Sequence, residues 1–276
     1  MVTGRIVLTA RVDLGQGGRW TSLAGGGREW LWSRPDPARS AVGPGAPFVD
    51  AGGIEECLPT VRGLPDHGDV WSRPWTGTAA RSQVRCADFE LWRGIAEEAG
   101  AVVATYRLAA DPGFRFVWAA HALLDLGEGA RIVAPEGTVT RLYPEAAPLL
   151  GRPWPAAAAY LDGTWPAPHG LRLDRFGADD GTAVGAVLRC AAVRVVDRAD
   201  VLDLRVEAPP GVPVGTALWR NLGGFPDGSP YRSIGVEPML GAVFDLGEAG
   251  PDDAAVVPPS GELSWRLVLA AERMDG

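Results

Sequence analysis

Lysine is absent from the 276 residues: every one of the 26 basic side chains is an arginine. Without a side-chain amine the chain forms no Schiff base, which excludes imine-forming aldolases, pyridoxal phosphate enzymes and P-loop lysine chemistry. Cysteine is scarce as well. Cys57, Cys86 and Cys190 form neither a C-x-x-C pair nor an even-numbered framework, so reduced thiols in a cytoplasmic protein are expected. Long apolar runs are missing too: none reaches about 18 residues, and the start, Met1-Val-Thr-Gly-Arg-Ile-Val, lacks the basic-then-apolar pattern of a secretory leader. No membrane partner is expected. Nucleic acid is an equally poor fit, because the net charge is -8, the pI is near 5.0 and the arginines are scattered singly.

Helical patterning is also lacking. The one candidate, Ala156 to Tyr160, is short and hemmed in by Pro153, Pro155, Pro166 and Pro168. What is present is a series of short apolar or alternating runs: Arg5 to Val12, Trp20 to Ala24, Glu29 to Trp32, Val102 to Leu108, Arg115 to Ala119, Arg131 to Ala134, Ala183 to Leu188, Val193 to Val196, Val201 to Val206 and Leu263 to Ala270. Gly-Pro clusters such as Gly25-Gly26-Gly27, Gly43-Pro44-Gly45 and Pro209-Pro210-Gly211 supply turns between them. The pattern predicts an all-β protein. No linker, charge block or internal repeat divides it, so one domain over residues 1–276 is expected.

Three histidines, His67, His121 and His169, are the natural carriers of protons near neutrality. His121 follows Phe114, Phe116 and Trp118 at what reads as the end of an aromatic strand. It is either a proton donor in a pocket or a histidine bonded to a backbone carbonyl. Glu237 ends an apolar run from Tyr231 and is followed by Pro238, which holds it extended. Desolvation there makes it a better base, unless Arg220 or Arg232 takes it as an ion-pair partner. A third segment runs from Gly52-Gly-Ile-Glu-Glu-Cys-Leu-Pro-Thr to Pro65-Asp-His-Gly-Asp-Val-Trp-Ser-Arg-Pro-Trp and reads as a glycine-bounded loop. Trp71 and Trp75 could stack on a pyranose while His67 and Arg73 bond its hydroxyls; equally, both tryptophans could be core. Asp66, His67 and Asp69 form only a loose cluster, without H-E-x-x-H or paired-cysteine spacing, and no metal is expected. There is no G-x-S-x-G elbow and no phosphate-cradling glycine loop.

In this order, these segments resemble the aldose 1-epimerase or galactose mutarotase-like superfamily. The Gly-Gly-x-x-Glu-Cys-x-Pro-Thr stretch, which contains Glu56, and the Pro-Asp-His-Gly-x-x-Trp-Ser-Arg-Pro-Trp stretch look like its N-terminal half. Trp118-Ala-Ala-His121 is similar to the segment with its general acid. Trp219-Arg-Asn-Leu-Gly-Gly with Gly235-Val-Glu237-Pro is similar to the segment with its general base. The resemblance implies an antiparallel β-supersandwich with a sugar site in a groove. Glu237 and His121 would be its base and acid, and His67, Arg73, Trp71, Glu56, Trp118 and Asp162 would bind substrate. It further implies anomer interconversion of a hexose or sugar derivative without a cofactor, by a monomer or homodimer. Ala119, Ala120 and Ala122 replace the polar residues usual beside the acid, so galactose specificity is not carried over. Three other functions compete: a mutarotase for sugar phosphates, given Arg62, Arg73 and Arg81; a non-catalytic carbohydrate-binding sandwich; and a glycoside hydrolase or lyase using Glu55, Glu56 or Asp66 as a second carboxylate.

Overall fold

Side-chain alternation turns most of these runs into strands. In the computed structural model, which describes residues 3–274, Arg81–Arg85 alternates exposed and buried positions, and Glu262–Met274 buries every second residue from Leu263 to Ala271. One sheet of nine antiparallel strands runs in the order Arg131–Val133, Ala192–Asp197, Asp200–Glu207, Glu262–Met274, Ala101–Ala110, Phe89–Glu98, Arg81–Arg85 and Thr76–Thr78, with Thr3–Ile6 also paired to Glu262–Met274. A second, of ten, runs Leu161–Thr164, Val139–Leu142, Thr182–Leu188, Val214–Phe225, Tyr231–Leu240, Trp118–Leu124, Ile54–Cys57, Arg19–Gly25 and Thr9–Asp13, with Arg28–Glu29 beside Arg19–Gly25. Among the described residues, helix is confined to short 3-10 turns at Pro37–Ala41, Pro144–Leu149, Pro168–Gly170 and Leu246–Glu248. The architecture is the all-β supersandwich expected.

The apolar core lies between the two sheets. Tyr106 and Trp265 stack at 5.2 Å between ring centroids, Trp118 meets Trp265 at 5.3 Å, and Trp20, Trp30 and Phe116 are fully buried around them. One carboxylate enters this core. Glu56 accepts hydrogen bonds from Trp118 Nε1 (2.9 Å) and Trp20 Nε1 (3.3 Å) of its own sheet, and from Arg93 Nη1 and Tyr106 Oη (both 2.8 Å) of the other. A buried charge is tolerated when paired and fully bonded, and this one ties the sheets together.

Several boundaries differ from expectation. Arg5 to Val12 is two strands, not one: at exposed Val7 and buried Leu8 the chain leaves the nine-stranded sheet for the ten-stranded sheet. The strand carrying His121 continues to Leu124, and the strand carrying Glu237 continues through Pro238 to Leu240. Ile54–Cys57, read as loop, is a central strand buried along its whole length. The glycines before it allow close packing rather than a turn at the surface. At Gly53, with φ +85°, a Cβ would stand 2.2 Å from the Trp20 carbonyl oxygen.

Candidate active site

The ten-stranded sheet has central strands covered on both faces, one by the core and the other by long loops, and a cleft of about 760 Å³ opens under those loops. Register decides which side chains reach it. In Trp118–Leu124, the pairs Ala119↔Met239 and Leu123↔Gly235 put His121 opposite Glu237, and His121 pairs directly with Glu55 on the other side. Pairing with Tyr231–Leu240 lapses between those two flanking pairs, in the stretch that holds Pro238, which has no N–H to give. His121 and Glu237 thus meet on the loop-covered face, where His121 Nδ1 lies 2.9 Å from Glu237 Oε1.

That contact is short but not in line for a hydrogen bond, and Glu237 Oε2 is buried with no partner among the described residues. Buried carboxylate oxygens are ordinarily bonded, so this one is free to take a donor. Burial alone would depress the His121 imidazole, but the adjacent Glu237 carboxylate outweighs it, helped by Asp50 and Glu55, and the pKa is pushed up to about 9. His121 is therefore charged at neutral pH. Because Nδ1 is buried against Glu237, the Nε2 edge is the one open to the cleft. The arginine pairing considered for Glu237 does not occur: Arg220 bonds Asp180 and Arg232 bonds Asp179.

The walls come from loops. Phe48 stacks on His67 at 3.5 Å between centroids and turns its edge to His121 at 5.8 Å. Burial holds His67 below its ordinary pKa against the pull of Asp66, whose Oδ1 lies 3.0 Å from Nδ1. One histidine of the site is thus charged and the other neutral near pH 7. Tyr231 stacks on Trp32 and donates its hydroxyl to Asp50, while the Arg34 guanidinium lies over its ring at 4.5 Å. Arg62 bonds Glu145 at 2.7 Å beside Phe244. Among the described residues no three His, Cys, Asp or Glu side chains gather as a metal-ligand set.

Of the eight residues expected in catalysis or substrate binding, Glu237, His121 and His67 come together on the cleft, where Arg62 and Asp66 also lie. The other five are placed elsewhere. Glu56 and Trp118 face the core, because strand alternation turns them away from His121. Trp71 is buried behind Phe48, with its Nε1 bonded to the Asp66 carbonyl oxygen. Arg73 reaches back to Asp69 at 3.6 Å, and Asp162 is exposed beside Arg141. Arg81 lies on the nine-stranded sheet, and His169 contacts Arg152, both away from the cleft. The walls Phe48, Asp50, Arg34 and Tyr231 escaped the sequence reading. Tyr231 alone carried a signal: six residues before Glu237, it falls on the same face of the strand.

The β-supersandwich holds His121 and Glu237 in contact on the loop-covered face of one sheet. No protein-family model matches the chain, and no curated protein matches it in sequence. Solved structures do match. A candidate aldose 1-epimerase from Escherichia coli K12 superposes with a TM-score of 0.69 at 14% identity, over 99% of both chains. A galactose mutarotase-like protein from Lactobacillus casei gives 0.61 at 14% identity, over 97% of this chain and 100% of that one. A galactose mutarotase related enzyme from Lactobacillus acidophilus gives 0.61 at 13%, over 99% and 98%. The chain has the galactose mutarotase-like fold.

Proposed function

We propose that this chain is an aldose 1-epimerase-like mutarotase that interconverts the α and β anomers of a hexose or sugar derivative by acid/base ring opening. The observation that carries the reading is the His121–Glu237 pair, a cation and a carboxylate in contact at the floor of a cleft large enough for one sugar. Glu237 takes the proton from the anomeric hydroxyl as the C1–O5 bond breaks. His121 gives its proton to O5, leaving an open-chain aldehyde. Rotation about C1–C2 and attack of the O5 hydroxyl on the other face of C1 close the ring, with both protons returning to their starting groups. His67, Phe48 and Tyr231 would hold the ring between the two. Chemistry of this kind asks only for side-chain acids and bases.

A phosphorylated hexose is the second reading, because Arg34 lines the cleft with no carboxylate within ion-pair distance among the described residues and Arg62 lies in the same cleft. Both readings are tested by adding the purified protein to freshly dissolved α-glucose, α-galactose and their 6-phosphates and following equilibration by polarimetry. Acceleration of a plain sugar supports the first and acceleration of phosphates alone the second. No acceleration of any of them counts against both.

A further inference from the structure

Glu55 is a buried acid that the scheme above leaves unused. It is the registered partner of His121 across the pair of strands Ile54–Cys57 and Trp118–Leu124. Directly opposed residues share one face of a sheet, with Cβ atoms about 5 Å apart. His121 therefore stands in a row between two carboxylates, Glu55 on one neighbouring strand and Glu237 on the other. Glu55 does not reach the cleft: it is 1% exposed, and Arg39 grips both its oxygens, with Nη2 at 3.0 and 3.1 Å and Nε at 3.2 Å. Arg19 Nε stands 3.9 Å away. Both guanidinium groups are anchored on backbone carbonyls, Arg39 on Gln16 and Trp71 and Arg19 on Ala51 and Gly52. Burying an acid and a guanidinium together behind one histidine is expensive for the fold.

We infer that Glu55, clamped by Arg39, is a positioning residue that sets the charge of His121 from the side opposite Glu237. The inference rests on the mutarotase reading only for its effect on turnover. His121 faces Glu237 from Tyr231–Leu240, Glu55 from Ile54–Cys57, Asp50 and Phe48 from the segment before that strand, and Asp66 and His67 from the loop after it, with Arg39 and Arg19 behind Glu55. Burial pushes Glu55 up to about 8 against the pull of both arginines, so it takes up its charge below the His121 midpoint of about 9 and is ionised over the range in which His121 titrates, where it adds to the raised pKa of His121.

The test is an NMR titration of the His121 imidazole in the intact protein, assigned with His121→Asn among only three histidines. In Glu55→Gln the midpoint is expected to fall by about one pH unit, the ordinary effect of losing a neighbouring charge. In Glu55→Asp, which keeps the charge, most of the shift should be restored. Because Glu55→Gln leaves Arg39 without its partner, Glu55→Gln with Arg39→Gln is the companion variant should the single one not fold, and a fall in the midpoint is expected there too. For a sugar the wild type turns over, the alkaline limb of kcat should move down with the midpoint while KM stays unchanged. A folded variant with an unmoved His121 midpoint overturns the inference. The titration needs no substrate, so it decides this question even where no sugar is turned over.

Discussion

Gly235 and Glu237 lie two residues apart on one face of their strand, and the glutamate folds back over the glycine so that Oε1 stands 2.5 Å from the place a Cβ on Gly235 would occupy. The Trp219 Cβ is 3.0 Å from the same point, so the space is closed from both sides. The absent side chain is what lets the carboxylate reach His121.

Gly235→Ala should therefore act as an active-site substitution although Gly235 carries no functional group. The new methyl displaces the Glu237 carboxylate, and a misplacement of about 1 Å can cost on the order of 100-fold in rate. The expected outcome is a large loss in kcat in steady-state mutarotation assays, with the far-ultraviolet circular dichroism of the sheet retained.

On the proposed scheme, His121 gives the alkaline limit of activity. The acid must carry its proton, and the imidazole is pushed up to about 9, so turnover should hold through neutrality and fall above that value. The same shift has a stability consequence. A histidine whose folded pKa is raised above its ordinary 6.5 contributes stability fully present below about 6.5, which is lost as pH rises through about 9. Melting temperature measured across that window should decline in the wild type and decline less in His121→Asn.

Glu56 should behave in the opposite manner to Glu237. Its four donors come from both sheets inside the core, and breaking a buried ion pair typically costs about 3 to 5 kcal/mol. Glu56→Gln should lower the denaturation midpoint strongly. Whatever fraction stays folded at low temperature should keep near-normal kcat, which active-site titration of the folded fraction would measure.

The contrast between Glu55, Glu56 and His121 shows how far the chain could be read in advance. Alternation and turn residues were enough for an all-β fold, and the scarcity of histidine drew the eye to His121 and His67. Long-range register was not legible: nothing local says that His121 lies opposite Glu237, more than a hundred positions away. The resemblance puts Trp118 with His121 in the substrate site, yet a spacing of three sets them on opposite faces of a strand. Ile54–Cys57 was hidden by the glycines before it, which mark a close approach of backbones rather than a loop. Phe48 and Asp50 lie in a segment without periodicity, and only the folded chain brings them to the cleft.

The most direct measurement is the comparison of Glu237→Gln with the wild type for one sugar, binding by calorimetry and anomer exchange by NMR in the same buffer. A mutarotase should keep sugar binding within a few-fold and lose roughly 10² to 10⁴ in exchange rate, the usual worth of a general base. Sugar binding that persists in both proteins, with exchange no faster than the uncatalysed rate in either, would contradict the account and leave a carbohydrate-binding protein without catalysis.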